Sequence, residues 1–288
     1  MVVTIREERV RRVADAVRSL GLEAVLRLEE LLDPQYAALQ RLADAVGRGA
    51  AAAYAVLVAA VSYRLAMRGE EWWSCASQLL SGYPPPRDVE SLRANVERFL
   101  AECRGSIIAR EAKVSRVRRL AAGARDLLSR LLSDADLPLR EPGRVLEGVA
   151  RALGSEREAK TVAFSVKMAY YAARPRGSMR PLSFDLPMPV DVRVACVSVA
   201  SGIVEVKASY RELVREPRPA QQAWAEVSRL SGVPTPHLDS LLWVVGWAPR
   251  DLPQAEARAV IERRLREASI PPEAARTVAT ELTYVPCR

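Results

Sequence analysis

The stretch Ser155-Glu156-Arg157-Glu158-Ala159-Lys160-Thr161-Val162-Ala163-Phe164-Ser165-Val166-Lys167-Met168-Ala169-Tyr170-Tyr171-Ala172-Ala173-Arg174-Pro175 reads as a helix with both ends marked. Ser155 and Glu158 have the S-x-x-E spacing of a capping box, in which each side chain satisfies a backbone N–H of the first turn. Arg174-Pro175 ends the run, because a proline disfavours helical backbone at the residue before it. Between those marks Lys160, Phe164 and Lys167 follow the i, i+4, i+7 spacing and share one face. A start at Ser155 puts Lys160 in the second turn, beside apolar Val162, Ala163 and Phe164, where burial favours a neutral amine. The stripe has two readings: a core phenylalanine flanked by snorkelling lysines, or a face that requires an amine.

The same helical grammar extends in both directions. Thr4 and Glu7 form a T-x-x-E box ahead of an amphipathic run to about Leu20, and Gly21 separates it from a second run to Leu32. Asp33-Pro34 restarts the chain as a cap followed by proline at the first helical position. Gly49 to Arg68 is apolar on every side around Tyr54, the mark of a buried helix. Gly69-Glu70-Glu71 opens a helix carrying Trp72 and Trp73, and Pro84-Pro85-Pro86 closes that region. Helices follow over 88–103, 105–131 and 143–153. Beyond the Lys160 helix comes a loop rich in Pro, Gly and Arg over 174–189. Asp191 sits where the next helix would be capped, Thr235-Pro236 opens the helix bearing Asp239, Trp243 and Trp247, and Ile203–Tyr210 is the one strand-like stretch. The fold class is all-α.

Composition narrows the function. Hydrophobic residues make up 49% of 288, enough for a substantial core, and the net charge of +8 favours polyanionic partners. The cations comprise 39 Arg and only Lys113, Lys160, Lys167 and Lys207, so each lysine retained in an arginine-biased chain invites a reason. An amine offers one: unlike a guanidinium, it can lose its proton when desolvated and attack electrophilic carbon. Cys75, Cys103, Cys196 and Cys287 have no metal-ligand spacing, and His237 is the only histidine, so no metal or other cofactor is expected. Free cysteines suit a reducing cytoplasm, although hyperthermophiles sometimes pair them. The apolar run 50–61 is too short to span a bilayer.

Asp191, in Leu186-Pro187-Met188-Pro189-Val190-Asp191-Val192-Arg193-Val194, reads first as an N-cap, and a capping carboxylate is also a fixed negative charge that a developing cation can use. The lysine helix, the proline-rich return and Pro189-Val190-Asp191 together resemble the helix–hairpin–helix DNA glycosylase superfamily. Lys160-Thr161-Val162-Ala163-Phe164-Ser165-Val166-Lys167-Met168-Ala169-Tyr170-Tyr171-Ala172 with Pro187-Met188-Pro189-Val190-Asp191-Val192-Arg193-Val194 looks more closely like the archaeal 8-oxoguanine DNA glycosylase family, and the likeness extends over nearly the whole chain.

The resemblance implies two helical subdomains with the active cleft between them: a barrel over 67–183 ending in the Lys160 helix, and a discontinuous subdomain of 1–66 and 184–288. It implies a bifunctional glycosylase/β-lyase that excises 8-oxoguanine from DNA, with Lys160 as nucleophile and Asp191 as the acidic partner. The flipped base is expected between Phe164 and Trp243, read by Asp239 and Lys167, with Gln35 and Trp73 completing the pocket; Trp72 competes with Trp73 for its place. Which atom accepts from the lesion's N7–H stays open. Backbone phosphates are assigned to Arg174, Arg176 and Arg193. Most of the eight Lys/Arg over 104–130 read as solvated helix face. One feature departs from the superfamily: Leu153-Gly154-Ser155-Glu156-Arg157-Glu158-Ala159-Lys160 lacks the glycine turn that offers bare N–H groups to phosphate. The expected partner is DNA containing 8-oxoguanine, met by a monomer in the cytoplasm, at the nucleoid, without membrane. Two rivals fit some of the same residues: a glycosylase of this fold for another damaged base, and a non-catalytic helical nucleic-acid-binding protein.

Overall fold

The computed structural model describes residues 3–182 and 186–287. Eighteen α-helices, one short 3₁₀ turn at Arg104–Ser106 and one two-stranded ribbon make up its regular structure among the described residues, so the all-α class holds with the ribbon as a small exception. The chain packs as two bodies, Met1–Asp33 with Pro181–Arg288, and Pro34–Arg180. The sequence reading grouped residues 34–66 with the termini. In the structure the helices Pro34–Val46 and Arg48–Ala60 pack on Lys160–Ala173 and belong with it.

In the continuous body the helix Arg48–Ala60 is the axis. Residues 50–61 are all buried, which is why the sequence is apolar around its whole circumference. Gly49 lets this helix approach Arg125–Ser133 closely, since a Cβ there would stand 2.6 Å from the Leu131 carbonyl oxygen. The helix ends at Ala60 rather than near Arg68, and the expected 105–131 helix is two, Arg110–Gly123 and Arg125–Ser133, broken at Ala124. Gly154 closes the helix Pro142–Leu153 in a left-handed conformation, with φ 60°. There the Ser155 N–H donates to the Ala150 carbonyl and the Gly154 N–H to that of Arg151, a Schellman motif.

That motif and the turn after it displace the next helix start. The Ser155/Glu158 capping box does not form; the helix begins at Lys160 after Ala159, with no side-chain cap. The Thr4/Glu7 box is absent for a different reason. Thr4–Ile5 pairs antiparallel with Val204–Glu205, Thr4 opposite Glu205, and the helix Glu7–Leu20 starts after Arg6. Of the strand-like stretch Ile203–Tyr210, only Val204–Glu205 is strand.

The discontinuous body has its own core. Val10, Val13 and Val17 line the inner face of Glu7–Leu20, which packs on Arg218–Ser231 and Pro272–Leu282. Trp224 is fully buried there, and its indole N–H donates to Ser198 Oγ at 2.9 Å. The four cysteines, expected free, are paired: Cys75 with Cys103 and Cys196 with Cys287, at Cα separations of 6.5 and 5.5 Å. Each bridge lies within one body. Closing loops of 28 and 91 residues restricts the unfolded chain and stabilises each body by about 3–5 kcal/mol in the chain-entropy account.

Candidate active site

The continuous body carries seven of the proposed site residues, five of them assigned to catalysis or the base and two, Arg174 and Arg176, to phosphate. Lys160 occupies the first position of the helix Lys160–Ala173 and is exposed, not buried in its second turn as the sequence suggested. The stripe it begins is graded: Phe164 is half-buried, and Lys167 is only 2% exposed, with its Nζ 5.4 Å from the centroid of the Tyr171 ring. Trp73, from the helix Gly69–Ser81, meets Phe164 edge to face at a centroid separation of 6.0 Å. Its neighbour Trp72 is a core residue, fully buried against Phe99 at 4.8 Å. The two tryptophans, both buried, occupy different faces of the helix, and Trp73 is the one that lies against the lysine stripe. Gln35 is buried in the first turn of Pro34–Val46.

The discontinuous body carries the rest. Asp191 caps the helix Val192–Ala200 as the sequence suggested, its Oδ1 accepting from the backbone N–H of Arg193 at 2.8 Å and of Val194 at 3.0 Å. Two backbone donors and the positive end of the helix dipole hold this carboxylate in place. Asp239 and Trp243 lie one turn apart on Thr235–Val245, with Asp239 buried and Trp243 half-buried. That helix is anchored by His237 between its neighbours. Leu182 donates its backbone N–H to His237 Nε2 at 3.0 Å, and His237 Nδ1 stands 2.7 Å from Glu29 Oε1. An amide can only donate, so Nε2 is the acceptor and Nδ1 carries the proton that Glu29 receives.

The arginines assigned to phosphate are placed differently from one another. Arg174 is fully buried, with Nη1 donating to Tyr170 Oη at 3.0 Å and its guanidinium 4.7 Å from the Tyr36 ring centroid. It is a core residue, and its place on the DNA surface is corrected accordingly: the arginine that ends the helix folds back under its last turn. Arg176 is exposed and forms a two-pronged pair with Asp44, at 3.1 and 2.7 Å. That hydrogen bond holds the Asp44 carboxyl below its ordinary range. The Arg193 guanidinium lies 3.7 Å from the centroid of the Trp243 ring, and its Nη1 donates to the Trp243 carbonyl at 3.3 Å. A residue whose own backbone N–H is taken by Asp191 therefore clasps Trp243 with its side chain. Nothing in the sequence signals this contact across fifty positions.

A family model described as AGOG, N-glycosylase/DNA lyase, matches residues 14–277. A protein named N-glycosylase/DNA lyase from Aeropyrum pernix is 48% identical over 288 residues, covering 100% of this chain and 99% of its own. A second of that name, from Pyrobaculum aerophilum, is 34% identical over 243 residues, with coverage of 84% and 88%. Among solved structures, the 8-oxoguanosine complex of Pa-AGOG, the 8-oxoguanine DNA glycosylase from Pyrobaculum aerophilum, aligns with a TM-score of 0.77 at 30% identity, over 98% of this chain and 99% of that one.

Proposed function

The chain belongs to the AGOG N-glycosylase/DNA lyase family, and from that premise we propose that it removes 8-oxoguanine from DNA with Lys160 as nucleophile and Asp191 as its charge-stabilising partner. The observation that carries the reading is the conjunction of an exposed amine at the head of one helix with a doubly hydrogen-bonded carboxylate at the head of another, in a chain whose structural relative was solved with 8-oxoguanosine.

In this reading the Lys160 amine attacks C1′ of the flipped nucleotide. A C–N bond forms to Nζ as the glycosidic bond breaks, and the bonding pair leaves with the base. Positive charge builds on the sugar in the transition state, and the Asp191 carboxylate stabilises it because its position is fixed before the reaction begins. The two protons the amine sheds end on the departed base and on the ring oxygen O4′ as the sugar opens, giving a Schiff base, from which loss of a C2′ proton and expulsion of the 3′-phosphate nick the strand by β-elimination. Phe164 and Trp243 each offer the base an aromatic face, a contact tolerant of base identity, while Asp239, Lys167 and Gln35 supply the polar contacts that read it. Trp73 supports Phe164 from the side. No helix among the described residues is long and apolar enough to cross a membrane. The enzyme works as a monomer on nucleoid DNA in the cytoplasm.

Borohydride tests the reaction directly. Reduction of the Schiff base to a stable secondary amine should crosslink the protein covalently to a duplex containing 8-oxoguanine, and peptide mapping should place the link on Lys160. A crosslink to another residue, or none under conditions that nick the strand, defeats the assignment. Matched duplexes carrying other oxidised or alkylated bases decide whether 8-oxoguanine is the preferred substrate.

A further inference from the structure

The helix Arg110–Gly123 reads as a solvated cationic face, yet two of its cations are withdrawn from solvent, Lys113 fully and Arg116 in part, without a carboxylate partner among the described residues. Lys113 is fully buried, with its Nζ 3.3 Å from the Arg64 carbonyl oxygen and 5.6 Å from the ring centroids of both Tyr63 and Trp72. Arg116 is half-buried, its guanidinium 5.8 Å from the Tyr63 ring centroid. Its Nε is enclosed without an acceptor, and its Nη2 donates to Thr161 Oγ1 at 3.2 Å. Neither residue pairs with a carboxylate among the described residues. Burial holds both below their ordinary values, and the neighbouring Arg110 and Arg119 push the same way.

A partly desolvated guanidinium without a counter-charge costs free energy, and a half-satisfied polar group in a native structure calls for an explanation, an absent ion among them. The direction in which an anion would lie follows from the contacts. Thr161 accepts from Arg116, which leaves its own hydroxyl proton to donate. The guanidinium keeps donors beyond the one spent on Thr161, and Tyr63 backs it with an aromatic ring. Thr161 follows Lys160 at the head of the same helix, so these two donors stand beside the residue that carries the amine. We propose that Arg116 and the Thr161 hydroxyl hold one phosphodiester flanking the flipped nucleotide, with Lys113 as a buried charge behind them. This rests on Lys160 being the nucleophile. The clamp supplies from a neighbouring helix the phosphate contact that the glycine-free hairpin no longer offers. A guanidinium fork matches a phosphodiester in shape as well as charge, which a lysine does not.

The test measures binding to a duplex whose 8-oxoguanine nucleotide carries a 2′-fluorine to resist excision, across a salt series. Arg116→Gln should lower affinity about tenfold near 0.1 M salt and reduce the slope of log affinity against log salt by about one, the signature of one lost phosphate contact. A single methylphosphonate adjacent to the lesion should cost the wild type a similar factor and cost Arg116→Gln nothing further. Arg116→Lys should keep the slope while losing part of the affinity. If Arg116→Gln does not fold, Thr161→Val carries the test: its affinity should fall severalfold, with the loss coupled to the same methylphosphonate. An unchanged slope, or losses that add at every phosphate position, overturns the clamp. Borohydride trapping by the wild type separates the two claims. Trapping at Lys160 without phosphate coupling sinks the clamp alone, and coupling without trapping sinks the nucleophile alone.

Discussion

Two helix starts in this molecule are built in opposite ways. The helix Val192–Ala200 begins under Asp191, whose carboxylate takes two first-turn N–H groups. The helix Lys160–Ala173 begins after Ala159 with no side-chain cap; Lys160 is its first residue, Arg116 lies against Thr161, and Glu156 and Glu158 precede it in the turn. A capped start is locally complete and needs nothing from outside. An uncapped start leaves its first-turn N–H groups without a side-chain acceptor, and Arg116 beside Thr161 adds positive charge there. The difference separates a carboxylate held still by two backbone donors from an exposed amine, the pair to which the proposed reaction gives its two roles.

Removing the amine should have the largest effect. Lys160→Gln should lose excision by more than about a thousandfold and lose borohydride crosslinking altogether, while its melting temperature stays near that of the wild type, because an exposed uncapped position contributes little to stability. A Lys160→Gln protein that still excised the base would erase the contrast between the two starts. At the other start, Asp191→Asn keeps a capping oxygen and loses the charge, so it should stay folded while single-turnover excision drops roughly a hundredfold or more. Asp191→Ala should in addition lose about 0.5–2 kcal/mol of stability, read by denaturant unfolding. Equal activity in the Asp191→Asn protein would reduce Asp191 to a cap.

The aromatic faces should matter next. Phe164→Ala and Trp243→Ala should each weaken lesion binding about ten- to a hundredfold, corresponding to about 1–3 kcal/mol of stacking, with affinity for undamaged DNA barely moved. A large fall in melting temperature with an unchanged ratio of lesion to non-lesion affinity would make them core residues instead. The smallest effect concerns acid. Hydrogen bonding first to Arg118 and then to Arg93 depresses the Glu97 carboxyl below its ordinary 4.5. A depressed carboxyl stabilises the fold fully above its unfolded value and loses that contribution as pH falls through the folded one. The melting-temperature gap between wild type and Glu97→Gln should therefore be present at neutral pH and close below pH 4.5. A gap independent of pH would assign the loss to packing.

The sequence and the structure diverge at instructive places. The start at Asp191 was legible because capping is local: one acidic side chain and the two amides that follow it. The start at Lys160 was not, although Ser155 and Glu158 carry the right letters. The Schellman closure at Gly154 binds the Ser155 N–H backward, and the turn that follows consumes the residues the box needed. Phe164 could be nominated from the lysine stripe and Trp73 only from the family resemblance, and which of two adjacent tryptophans faces the stripe depended on packing. The burial of Arg174, the clasp of Arg193 on Trp243 and both cysteine pairings join residues distant in sequence or reverse a chain direction, and no periodicity carries such information. Arg116 left a fainter trace. It stands three residues from Lys113 in an arginine-rich helix, a spacing that marks a shared face but not that the face lacks anions.

The bridge from Cys196 to Cys287 gives the discontinuous body a covalent loop that runs from the helix capped by Asp191 to the last described residue. Cutting the backbone once anywhere inside that loop leaves a single molecule still joined through sulfur. The cut protein would migrate on a denaturing gel as one species until a thiol reductant released the C-terminal fragment. Much of that body's sequence after Asp191, including the helix that carries Asp239 and Trp243, lies within this covalent circuit. Asp239 and Trp243, two of the residues proposed to grip the base, thus stay attached after a single backbone break in the loop, whereas Lys160 and Phe164 lie outside it.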